Sequence, residues 1–161
     1  MKRIVKSNEI PPNSIISNGF GKTDYCDSYR IIKQTDETID EITSRIFKMP
    51  QWIITLMKVR NGIVGIFGLK TGTNETVKEA THYPAGSKAG YFTVIERNAN
   101  EIVMGEDDMH LCFRLSTLID RERSFICLTT IVRFHNVWGR IYFLPVKPFH
   151  RLIVKSLLKS F

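Results

Sequence analysis

Four runs of strand-type sequence follow one another between residues 92 and 134, each a short turn away from the next. Sequential strands joined so tightly pair with their neighbours, so this segment predicts an antiparallel meander. Phe92-Thr93-Val94-Ile95-Glu96-Arg97 and Glu101-Ile102-Val103-Met104-Gly105-Glu106 flank the turn Asn98-Ala99-Asn100, the spacing of a hairpin. Residues 110–119 alternate, with Leu111, Phe113 and Leu115 on one side and Cys112, Arg114 and Ser116 on the other. Asp120-Arg121-Glu122-Arg123 turns the chain into residues 124–134, apolar enough for a central strand covered on at least one face.

Beyond the meander the pattern turns helical. Asn136 is placed to cap a long C-terminal helix in which Val137, Ile141, Leu144, Pro148, Leu152, Ile153 and Leu157 keep helical spacing. Pro145 and Pro148 each remove a backbone donor, so a kink or break is expected there. Upstream, residues 25–33 read as a strand. Thr35 or Asp36 then caps a helix with the apolar stripe Ile39, Ile42, Ile46 and Phe47. Pro50 suits the first turn of a second helix running to about Phe67, with Ile53, Leu56, Met57, Arg60, Val64 and Phe67 on one face. Gly62, Gly65 and Gly68 in its later turns imply close backbone approach or early fraying. Residues 70–90 form a long polar loop containing the turn Tyr83-Pro84-Ala85-Gly86. The order defines one α+β domain over residues 1–161: a curved meander sheet packed on a long C-terminal helix, with two helices after the first strand.

At 161 residues, 43% hydrophobic and 24% charged, the composition is that of a globular domain able to fold without staples. Cys26, Cys112 and Cys127 form an odd set without C-x-x-C spacing, and the basic start lacks the apolar run of a leader. Both point to a reducing compartment and a cytoplasmic protein, with the cysteines acting as small core residues. No stretch has the uninterrupted apolar length of a membrane span.

The net charge is +7, and between residues 133 and 161 Lys and Arg occur without any acid. That makes an anionic membrane surface or an acidic partner protein a candidate for the last helix. Nucleic acid is not expected, because no recognition motif accompanies the charge. Phosphate-loop, nucleophile-elbow and H-E-x-x-H patterns are all absent, and neither a cofactor nor a metal is expected.

Four strings carry a family resemblance: Asp24-Tyr25-Cys26-Asp27-Ser28-Tyr29, Trp52 through Leu69-Lys70, Gly105-Glu106-Asp107-Asp108-Met109-His110-Leu111, and Pro148-Phe149-His150-Arg151-Leu152-Ile153. The chain resembles the bacterial domain-of-unknown-function family 2867, departing at Cys112, where that strand is expected to carry an acid. The resemblance implies a helix-grip fold of the Bet v 1 and START kind, in which a sheet wraps a final helix around a cavity. It carries over no catalytic residue.

The first functional expectation is therefore a small lipophilic ligand held between sheet and helix, with His110, Arg114 and His135 at the polar end and Trp52 and Trp138 near the mouth. An alternative is an enzyme using Asp108, His110 and His135 for acid–base or metal chemistry, Asp108 and His110 sharing a side if strand geometry already holds there. His150, between Phe149 and Arg151, reads as a packing or surface histidine.

Overall fold

The computed structural model describes residues 3–48, 51–66, 81–90 and 92–161, apart from the side chains at 60, 63 and 64. Its elements are Ile4–Ser7 (β1), Tyr25–Ile32 (β2), Ile39–Phe47 (α1), Gln51–Ile66 (α2), Lys88–Ala89 (β3), Phe92–Arg97 (β4), Glu101–Asp107 (β5), Leu111–Asp120 (β6), Phe125–Phe134 (β7) and Val137–Lys159 (α3). The strands form one antiparallel sheet in the order β1-β2-β7-β6-β5-β4-β3. The meander is present as expected, extended at either edge by two short strands that the sequence pattern did not single out. β7 lies inside the sheet, between β2 and β6, and residues 125–132 are buried.

Register decides which residues meet the helices. Tyr25 pairs with Val132, Asp27 with Thr130 and Tyr29 with Leu128. Val132, Thr130 and Leu128 pair in turn with Phe113, Leu115 and Thr117. Because side chains alternate, these residues share the face that α1, α2 and α3 cover. The main core there includes Tyr29, Ile42, Ile102, Ile126 and Leu158. A bulge between Val94 and Glu96 shifts the β4 register and bends that edge.

The opposite face is covered by the segment between β1 and β2. Ile16 and Phe20 pack there on Val103, Cys112 and Ile131. Glu101, fully buried, accepts hydrogen bonds from Ser14 Oγ (2.5 Å), from the Ile15 N–H (2.8 Å) and from the Ser116 hydroxyl. Two guanidinium groups lie over the Phe20 ring, Arg114 at 5.1 Å and Arg133 at 5.3 Å from its centre. Cys112 and Cys127 are buried and Cys26 half-buried, and burial raises the Cys26 thiol to about 11. Such thiols pack rather than react.

Helix boundaries follow local chemistry, with one shift. α1 buries Ile39, Ile42 and Ile46 as its spacing demands, but Thr38, not Thr35 or Asp36, caps it. Thr38 Oγ1 accepts from the Glu41 N–H (3.2 Å) while the Glu41 carboxylate accepts from the Thr38 N–H (2.7 Å). That reciprocal pair outcompetes the earlier candidates, and the Thr35 hydroxyl instead donates to Glu37 (3.0 Å). In α2, Gly62 and Gly65 are exposed, and among the described residues an added Cβ at either would meet nothing within 4 Å, so no close backbone approach is seen there. Pro50, Phe67, Gly68 and residues 70–80 of the long loop lie outside the described residues, as do the side chains of Arg60 and Val64. The described part of the loop turns at Gly86, whose φ of +84° suits a glycine.

α3 starts where expected, with Asn136 Oδ1 accepting from the Gly139 N–H (3.1 Å), and runs unbroken past Pro145 and Pro148. Its orientation is the main correction to the sequence reading. The buried residues are Gly139, Tyr142, Phe143, Val154, Leu157 and Leu158. Val137, Ile141, Leu144 and Leu152 of the expected stripe are exposed. Large aromatics win the sheet side: Phe143 packs edge-on against Tyr25 and Phe134. Gly139 makes this possible, because its Cα lies against the His110 carbonyl where a Cβ would clash.

Candidate functional site

Between the covered sheet face and the three helices lies a cavity of about 290 Å3. Phe113, Leu115 and Leu128 from the sheet, Met57 from α2, and Phe149 and Ile153 from α3 contribute to its walls. The inward alternation of β6 (Leu111, Phe113, Leu115) is therefore the cavity wall, as the period-two pattern places it. The walls are mainly apolar, and a polar cluster lies where β2, β7 and α3 converge.

Thr130 and His150 line the cavity at that cluster. His150 Nε2 is 2.9 Å from Thr130 Oγ1 and 3.4 Å from Asp27 Oδ1. Asp27 is 1% exposed, and its other oxygen accepts a 2.6 Å hydrogen bond from the Tyr25 hydroxyl. Burial alone would raise the Asp27 pKa, but hydrogen bonding and charge from His150, the Tyr25 hydroxyl and nearby Arg151 together bring it below the usual carboxylate value. Tyr25 moves the opposite way, raised by burial and then by the Asp27 carboxylate it contacts. Two buried polar atoms beside this network, Tyr29 Oη and Arg151 Nε, have no hydrogen-bond partner among the described residues. Chemically, the cluster presents an imidazole and a hydroxyl to an apolar cavity, backed by a buried carboxylate. That arrangement can hold a polar group or carry a proton.

The residues expected from sequence at the polar end lie elsewhere. Arg114 is on the opposite sheet face, its guanidinium donating to the carbonyls of Ile16 (3.0 Å) and Asn18 (2.5 Å). Asp108 and His110 lie in the β5–β6 turn, before strand geometry begins at Leu111, so alternation does not place them on one side. Asp108 Oδ1 accepts from the Met109 N–H (2.6 Å), and His110 Nδ1 meets Asn136 (3.2 Å). His135 Nε2 contacts Asp107 Oδ1 at 2.6 Å, so Asp108, His110 and His135 have separate partners. Trp52 and Trp138 are exposed on α2 and α3 and do not line the cavity. No group of three His, Cys, Asp or Glu side chains suited to a metal occurs among the described residues.

His150, read from sequence as a packing or surface residue, is the histidine that faces the cavity. Its partner Asp27 carried a signal: Tyr25, Asp27 and Tyr29 repeat at period two, which sends a carboxylate to the same side as two aromatics. Two of the strings that carried the family resemblance, residues 24–29 and 148–153, thus meet in space at the Asp27–His150 contact.

The fold and cavity define a helix-grip-like α+β domain, a seven-stranded antiparallel sheet closed by a long C-terminal helix. The chain belongs to the protein family of unknown function DUF2867, whose sequence profile matches residues 20–157. No curated protein and no solved structure matches it significantly.

Proposed function

We propose that the chain is a binding domain for a small apolar or amphipathic molecule, held in the cavity with one polar group against Thr130 and His150. The observation that carries this reading is the cavity itself: about 290 Å3, apolar over most of its wall, with a polar cluster at Thr130 and His150. Close-packed interiors leave few voids larger than a water molecule, and this space gives room for a small molecule. Ligand sites combine largely apolar walls with a few convergent polar groups, and this cavity has that composition. An apolar tail gains from leaving water, while its polar end replaces lost hydration at His150 and Thr130.

The test uses the intact protein, purified without detergent. Native mass spectrometry reads any co-purifying small molecule, and thermal shift is measured against medium-chain fatty acids, isoprenoid alcohols and aromatic acids. A binding molecule raises Tm as its occupancy rises. Leu128→Trp fills the cavity and removes the shift for every ligand, whereas His150→Leu weakens ligands with a polar end and spares pure hydrocarbons. If neither an adduct nor any Tm shift is found, or if Leu128→Trp leaves the shift intact, the reading fails.

A further inference from the structure

The face of α3 turned away from the sheet carries a row of exposed apolar residues, and the flank beside it a row of basic ones. Val137 is 60% exposed, Ile141 46%, Leu144 69% and Leu152 53%. Their spacing puts them on one side of the helix, along about 22 Å of its length. Trp138 and Phe149 border that row, 54% and 50% exposed. Scattered exposed apolar residues are ordinary, but a contiguous row marks an interaction surface.

A basic ridge runs beside the row. Arg140, Lys147, Arg151 and Lys155 recur at intervals of seven, four and four, and no acid occurs anywhere in α3. Contacts from β2 and β7 hold the ridge in place. Arg140 lies over Phe134 (5.2 Å), Lys147 over Tyr25 (4.9 Å) and Lys155 over Tyr29 (5.9 Å). Among the described residues, one carboxylate comes within ion-pair distance of the ridge: Asp24, at 3.8 Å from Arg140, whose side chain nevertheless stays 61% exposed.

We propose that this face docks on an anionic membrane surface, with the apolar row in the headgroup boundary and the ridge against lipid phosphates. Uniform positive charge along a whole helix matches a uniformly anionic sheet of headgroups. A second copy of the chain is a poor occupant, because its own ridge would meet this one with like charge at a net +7 per chain. No helix among the described residues is long and apolar enough to cross a membrane, so the contact is peripheral. Pro145 and Phe149 are exposed on α3 and also line the cavity, which therefore approaches the docking face.

The experiment is co-sedimentation of the full chain with phosphatidylcholine vesicles, with and without an equal share of phosphatidylglycerol. Binding to the mixed vesicles is expected to be at least about tenfold tighter than to neutral ones, and to weaken as salt rises. Leu144→Glu and the pair Arg140→Glu/Lys155→Glu each reduce it about tenfold with unchanged circular dichroism, while the equal-charge control Lys6→Glu/Arg123→Glu does not. In a Trp52→Phe background, Trp138 emission shifts to the blue on binding. The proposal is overturned if anionic vesicles are not bound, if the control pair loses binding equally, or if Leu144→Glu instead dissolves a dimer. Ligand occupancy of the cavity is read separately by native mass spectrometry, so failure of one reading is distinguishable from failure of the other.

Discussion

At the scale of single residues, Asp27 shows why a carboxylate can be fully covered in a sheet interior. Its charge is met by the Tyr25 hydroxyl at 2.6 Å and by His150 at 3.4 Å. Removing the hydroxyl in Tyr25→Phe takes away a hydrogen bond to a charged group and is expected to cost about 1.5–3 kcal/mol in urea unfolding. The second residue-scale test is Asp40. Arg97 donates to both its oxygens, at 2.6 and 2.9 Å, and holds its pKa at about 2, below the ordinary 3.8. The folded value is the lower one, so the pair's stabilisation is fully present above pH 3.8 and is lost as pH falls through about 2. Arg97→Met is expected to lower stability at pH 7 by about 1–2 kcal/mol, and the difference from the parent shrinks on acidification below pH 4. A difference that stays constant from pH 7 to pH 2 would rule this coupling out.

At the scale of elements, the helices divide into those set by local chemistry and those set by their neighbours. α1 is local: its capping box and its apolar spacing are both written in consecutive residues. α2 carries Gly62 and Gly65 in exposed positions, where they lower helix propensity and, among the described residues, no neighbour lies within 4 Å of an added Cβ. Gly62→Ala and Gly65→Ala are each expected to stabilise the protein by about 0.5–1 kcal/mol, read from the denaturation midpoint. Destabilisation by either would mean that the glycines serve a backbone contact. α3 is set by its neighbours. Its sequence contains two apolar faces, and which one meets the sheet depends on Gly139 fitting against the His110 carbonyl and Phe143 fitting between Tyr25 and Phe134.

At the scale of the whole molecule, the sheet is covered on both sides by different means. Three helices and a cavity occupy one face, and a segment with little regular structure occupies the other. That segment is tied down by Glu101, fully buried, which takes hydrogen bonds from Ser14, Ile15 and Ser116. Glu101→Ala leaves those donors without their acceptor and is expected to cost about 3–5 kcal/mol. Hydrogen exchange should rise first at residues 14–20, before the meander opens. Uniform exchange loss across the sheet would show instead that the segment is not a separate unit.

The sequence by itself determined the meander, the β2 strand, the start of α3 and the buried stripe of α1. Each of these rests on side-chain period, turn residues or caps, which act within a few residues of one another. The inward row Leu111, Phe113 and Leu115 was legible for the same reason. Only the tertiary structure decided the polar site and the face of α3. Asp27, Thr130 and His150 are distant in the chain, and they meet because β2 returns to pair with β7 while α3 crosses both. Histidines beside a turn and a histidine on a helix look alike in sequence. What separates them is the register across the sheet and the packing of the helix laid over it, and both are long-range quantities.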